Sequence, residues 1–222
     1  MKRNCFLVGV VLTAVLFPWP GFAGRKEESK ASRKVLVRVS DADIVSPSLY
    51  GPALGIAEKV LKQADVQLRW ARLSKVEPTE PMNDCRERDL RVIDLRFVRK
   101  APVSERRGTI AVSSPFTSRG LRITIYWDRL LEQYPTRDEG ALRPVLGHVL
   151  AHEIGHILLG TMHHTTSGLM KASFTGEERS LLQVKPLKME QVDIDTIQRN
   201  LDAPLGVCQT VSLDGPNGDK FQ

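Results

Sequence analysis

All five histidines of the 222-residue chain fall between His148 and His164. Histidines that serve only as scattered core or surface residues do not crowd in this way. Inside the window stands His152-Glu153-Ile154-Gly155-His156, set in an apolar sequence in which Leu142, Val145, Leu146, Val149, Leu150, Ile154, Ile157 and Leu158 recur at helical spacing from Ala141 onward. Pro144 falls in the first turn of that helix, where it is tolerated, and Gly160 supplies the left-handed residue that closes it. Four residues of a helix turn through about 400°, so His152 and His156 stand about 40° apart and one turn up, and both imidazoles reach one ion. Glu153 lies about 100° to the side, able to take a proton from water at that ion without being a ligand. Whatever else the chain does, its fold must bury this helix and leave one end of it open to substrate.

The residues after the helix offer a third nitrogen. Gly160 turns the chain and His163 and His164 follow at once; adjacent side chains on an extended segment point to opposite sides, so one of them faces the ion. His152, His156 and His164 are the expected metal ligands and Glu153 the expected catalytic base, with His163 as the alternative third ligand. Three protein ligands and an open fourth position distinguish catalytic from structural zinc. Another class of zinc protease takes its third ligand from a downstream glutamate, and Glu177 and Glu178 stand at such a distance, but the histidine pair arrives first. His148, one turn before His152, reads as a supporting or ordinary helix histidine, since a fourth protein ligand would fill the open position.

The stretch from His152 through Ile157-Leu158-Leu159-Gly160-Thr161-Met162-His163-His164 to Ser167-Gly168-Leu169-Met170 resembles the metzincin clan of zinc endopeptidases, in which HExxH is followed by a Gly turn, a third His and a methionine-containing turn. One residue has been added here: Leu159 occupies the position expected for Gly, and Met162 that expected for the third His. The resemblance implies an α+β, metzincin-like fold with a mixed twisted sheet of about five strands, a buried active-site helix and a C-terminal helix. It implies Zn²⁺ as cofactor, hydrolysis of peptide bonds with Glu153 as general base, and Met170 as an apolar floor beneath the metal. Some members carry a Tyr two residues after the turn Met; this chain has Ala172. The segment from Gly108 to Ser113 would be the strand that pairs with an extended peptide substrate. The alternative function is a non-catalytic zinc-binding or interaction domain on the same scaffold. Glu153 speaks against it, because a structural site has no use for a general base.

Upstream, Val35-Leu36-Val37-Arg38-Val39 is a β-branched run suited to a buried strand, and Leu49, Ala53, Ile56, Val60, Leu61 and Ala64 follow at helical spacing. Val66–Trp70, Ile93–Phe97 and Leu121–Ile125 alternate with period two, and Thr109–Val112 is a further short strand. Met189, Val192, Ile197 and Leu201 mark an amphipathic helix near the C-terminus. No internal repeat interrupts residues 35–201, which are taken as the catalytic domain, with 24–34 as a flexible polar leader and 202–222 as an irregular tail.

The N-terminus joins Lys2 and Arg3 to the apolar run Cys5–Phe17 and to Gly21 and Ala23, the three-part pattern of a secretory signal peptide over residues 1–23. The run is shorter than the roughly 20 apolar residues that a membrane span needs, so no integral anchor is expected and the mature protein is read as secreted or periplasmic. Cys85 and Cys208 remain after cleavage; in an exported chain they read as one disulfide, the alternative being two free thiols. Charged residues make up 26%, and 32 Lys and Arg against 26 Asp and Glu leave +6, spread thinly along the chain. Such a surplus does not point to nucleic acid. The expected partner is a peptide or protein substrate, met by a monomer.

Overall fold

Alternation of Val35, Val37 and Val39 with Lys34, Leu36 and Arg38 puts one face of the first strand, β1 (Arg33–Ser40), fully out of water. The computed structural model describes residues 33–73, 91–115 and 120–203. Residues 1–23, read above as a signal peptide, Cys85, Cys208 and the residues from 204 onward lie outside the described residues. Beside β1 stand β2 (Val66–Arg72), β3 (Arg91–Val98), β4 (Ala111–Ser114) and β5 (Leu121–Tyr126), in the order β2-β1-β3-β5-β4. All neighbours are parallel except β4, which runs antiparallel to β5 and forms one edge. Parallel neighbours require a crossover, and α1 (Pro47–Leu61) supplies it between β1 and β2. This is a mixed α+β fold, as the sequence predicts.

The inward residues of β3 and β5 (Ile93, Leu95, Phe97, Ile123, Ile125) join those of β1 in one core with Leu49, Ala53, Ala57, Val60 and Leu61 of α1. The opposite face of the sheet is half-buried and polar. There Arg38 and Asp94, register partners on β1 and β3, form a two-pronged ion pair at 2.7 and 2.8 Å.

Three further helices follow β5 before the last one: α2 (Trp127–Gln133), α3 (Glu139–Leu159) and α4 (Gly176–Leu182); α5 (Gln191–Asp202) ends the described chain. From Pro144 to Leu158 every residue of α3 is buried, which explains a sequence apolar on all sides rather than on one stripe. Gly147 makes this possible where α3 meets α1: a Cβ there would lie 2.6 Å from the Ile56 Cβ and 2.9 Å from the Ala53 carbonyl oxygen. The helix start is tied to α1 by Glu139, which accepts from the hydroxyls of Ser46 (2.6 Å) and Ser48. Among the described residues no helix is long and apolar enough to cross a membrane.

Several boundaries differ from expectation for identifiable reasons. Arg33 and Lys34 belong to β1 rather than to a leader; the Arg33 guanidinium, 6% exposed, sits between Asp65 (2.8 Å) and Asp202 (2.7 Å), so paired carboxylates offset its desolvation. Asp202 is accordingly helical rather than part of the tail. The edge strand begins at Ala111, not Gly108 or Thr109, because Gly108 takes φ +83° and the Thr109 amide closes a turn onto the Arg106 carbonyl at 3.2 Å. α3 starts at Glu139, where Asp138 caps it by accepting from the Gly140 amide (2.8 Å), so Pro144 lies past the first turn. The seven-residue helices α2 and α4 are too short to show a period in sequence.

Candidate functional site

The end of α3 and the two turns after it build one constellation. His152, Glu153 and His156 are buried on the last turns of the helix. Gly160, at φ +64°, reverses the chain so that the Thr161 amide bonds the His156 carbonyl (3.2 Å) while the His156 Nδ1 donates to the Thr161 carbonyl (2.9 Å). A second turn is closed by the Thr165 amide on the Met170 carbonyl (2.9 Å), with Gly168 at φ +73° packed against the Lys188 carbonyl. This turn aims the Leu169 carbonyl at His152 Nδ1, 2.8 Å away.

These two carbonyl contacts decide the tautomers. A carbonyl oxygen only accepts, so Nδ1 carries the proton in both His152 and His156, and Nε2 carries a lone pair. The His156 Nε2 lies 3.0 Å from the His152 Nε2 and 3.3 Å from the His164 Nε2, and the three ligand atoms fall within 4.8 Å of one another. Lone pairs aimed at each other across such distances repel unless a cation stands between them. Nitrogens bound tetrahedrally to zinc at 2.0–2.1 Å are about 3.4 Å apart, so the donor set fits that ion in both chemistry and spacing. Burial pushes the His156 imidazolium down to about 4, helped by the charges of His152 and His164. Burial also lowers His152 and His164, leaving three neutral imidazoles at neutral pH.

Glu153 opens with His152 and His164 onto a cleft of about 510 Å³. Burial pushes its carboxyl up to about 7, an effect moderated by the neighbouring Ser113 hydroxyl, which also reaches the Met162 sulfur at 3.8 Å. Ser113 is itself buried, on the edge strand β4. Its role beside Glu153 has no local signature in the sequence, because the two residues meet only through the packing of β4 on α3.

The remaining residues singled out by the sequence divide clearly. His163 is exposed and lies outside the group of three imidazoles. His148 is buried away from it, donating from Nδ1 to the Pro144 carbonyl (2.6 Å) and accepting at Nε2 from the Leu187 amide (3.1 Å). Glu178 caps α4 through the Thr175 amide (2.7 Å) and pairs with Lys171 at 2.9 Å; neither it nor Glu177 joins the imidazoles. Met170 is buried against the helix between the two histidines, its sulfur 2.7 Å from where a Cβ on Gly155 would stand. Ala172 lines the cleft and brings no hydroxyl to it.

The chain matches no protein-family profile and no curated protein sequence. Among solved structures it is similar to archaemetzincin from Methanopyrus kandleri (TM-score 0.48, 15% identity, 78% of this chain and 98% of that one). It is similar also to metalloproteinase-II from Bacteroides fragilis (TM-score 0.47, 12% identity, 78% of this chain and 55% of that one). A third is the ECX AB5 holotoxin in its GM1-bound form (TM-score 0.45, 12% identity, 75% of this chain and 80% of that one). Likenesses this loose carry no argument about activity, which rests on the residues themselves.

Proposed function

We propose that the protein is an exported zinc-dependent endopeptidase of metzincin-like build, with His152, His156 and His164 holding the ion and Glu153 as general base. One observation carries this reading: three imidazole nitrogens, two with their tautomer fixed by backbone carbonyls, converge within 4.8 Å of one another, and two of the rings open with the buried Glu153 onto one cleft. Zinc, when bound, supplies a Lewis acid that lowers the pKa of water to about 7 and polarises a carbonyl.

The chain's own residues do the rest. Leu169 and Thr161 hold the rings of His152 and His156 through Nδ1 and keep Nε2 basic. Glu153 takes a proton from the attacking water and hands it to the departing amine. Ser113 steadies that carboxylate. The outer edge of β4 has no strand beside it among the described residues and offers main-chain groups to an extended peptide. Met170 packs beneath the helix and resists displacement of the histidines. Export rests on residues 1–23 as a removable signal, and Cys85–Cys208 is the bridge proposed for the exported form. The protein is proposed to act as a monomer on peptides or proteins, not on nucleic acid.

The test is Glu153→Ala. It should leave about one zinc per chain while peptide hydrolysis is abolished, since the base is lost and the ligands are untouched. Zinc lost together with activity makes Glu153 structural, and undiminished hydrolysis removes the mechanism. Stoichiometric zinc with no hydrolysis by the wild type would favour the non-catalytic alternative.

A further inference from the structure

The cleft beside the imidazoles runs between α3, which contributes Val149, His152 and Glu153, and the segment from Lys171 to Phe174. Four cationic side chains line it (Arg106, Arg107, Lys171 and Arg179), against one carboxylate, Glu153. They are not equivalent. Lys171 is neutralised by Glu178 at 2.9 Å. Arg179 lies over the ring of Tyr134, 5.6 Å from its centroid, so its guanidinium is held by a cation–π contact rather than by a carboxylate. That pair stands between the cleft and a second cavity of about 340 Å³ lined by Leu142, Val145 and Gln183, which makes the guanidinium part of the end wall. Arg106 and Arg107, just before the edge strand, also have no ion-pair partner among the described residues.

We infer that the preferred substrates carry an acidic side chain close to the scissile bond, received by Arg179 together with Arg106 and Arg107. The inference rests on the peptidase reading above and names its substrate class. Three guanidiniums without carboxylate partners line this one cleft, one of them positioned by an aromatic ring, and a guanidinium offers a carboxylate charge-assisted, forked hydrogen bonds. A lysine or arginine of the substrate would meet like charge there. A neutral side chain would leave the guanidiniums without a partner but would not be repelled. The cleft, at about 510 Å³, lies in the usual range for a ligand site and admits a glutamate side chain with room for its neighbours.

The experiment compares peptides identical except for Glu, Gln or Lys at successive positions on either side of the cleaved bond, using the zinc-loaded full-length mature protein. At one position kcat/KM should favour Glu over Gln by about tenfold, the increment of a hydrogen bond to a charged group, and Lys should be poorest. Arg179→Gln should shrink the Glu-over-Gln ratio, and Arg179→Glu should reverse the order of Glu and Lys. Arg106→Gln with Arg107→Gln, on an exposed loop that cannot disturb the core, should shrink the ratio independently. Turnover with no Glu preference at any position overturns the inference and leaves the peptidase reading standing. A preference that survives all three variants undiminished overturns it too, because the discrimination would then lie elsewhere. Absence of turnover for every peptide removes both.

Discussion

Gly147→Ala and Gly55→Ala make the same chemical change in two helices that pack together, and the structure predicts opposite signs. At Gly147 the added Cβ would sit 2.6 Å from the Cβ and Cγ2 of Ile56 and 2.9 Å from the Ala53 carbonyl oxygen. Carbon atoms in contact prefer about 3.5–4.0 Å, so the overlap is about 1 Å. Neither partner can yield alone: the Ile56 Cβ is fixed to the α1 backbone, its branch is stiff at χ1, and the Ala53 oxygen is backbone. α1 and α3 must therefore separate; overpacking costs about 1–3 kcal/mol, and an overlap of this size against backbone falls at the upper end, about 2–3 kcal/mol. Replacing Gly by Ala in a helix interior offsets up to about 1 kcal/mol of that. The net expectation is a loss of about 1–2 kcal/mol, or about 2–8 °C in Tm for a chain of this size. Gly55 is exposed on α1 with nothing within 4 Å of its added Cβ, so only the propensity term acts there. Gly55→Ala should stabilise by about 0.5–1 kcal/mol. Urea titration of the metal-free proteins, followed by circular dichroism, measures both. Gly147→Ala matching or exceeding the wild type would show that α1 and α3 do not meet at the distance described.

His148 should make stability pH-dependent independently of the metal. Burial lowers its pKa from an ordinary value of 6.5, and its Nε2 accepts from the Leu187 amide, so the folded state needs it neutral. A depressed histidine pKa means that the unfolded chain takes up the proton first; the contribution is complete above pH 6.5 and is lost as pH falls below it, at up to about 1.4 kcal/mol per pH unit. In chelated protein the stability gap between wild type and His148→Gln should narrow from pH 7.5 to pH 5.5, and a constant gap would exclude the linkage. His164→Ala should lose zinc affinity and hydrolysis together while His163→Ala keeps most of both, as read by zinc titration and peptide assay; the reverse result would move the third ligand to His163. Glu178→Gln breaks the Lys171 pair and weakens the cap of α4, both partly exposed, so only a small loss of stability is expected, with zinc content unchanged. Zinc loss in that variant would assign the carboxylate to the metal.

The helix that carries the candidate site was legible from one dimension because helical geometry is local. Spacing places His152, Glu153 and His156, and Gly160 must end the helix wherever the rest of the chain goes. The same holds for the alternating strands, whose period-two valines and isoleucines can be buried only on one face. Boundaries were less legible where a residue's letter misstates its surroundings. Arg33 reads as solvent-exposed until Asp65 and Asp202, from distant elements, close around it. The choice between His163 and His164 was open in sequence, since both follow the same turn. Only the path from Gly160 to Met170 brings the His164 nitrogen to the other two and leaves His163 outside. Ser113 and Arg179 belong to β4 and α4, Tyr134 directly follows α2, and no local pattern links them to the histidines. Their place around the cleft follows from how the edge strand and two short helices pack around α3, and that arrangement is set by long-range burial rather than by any residue's neighbours in the chain.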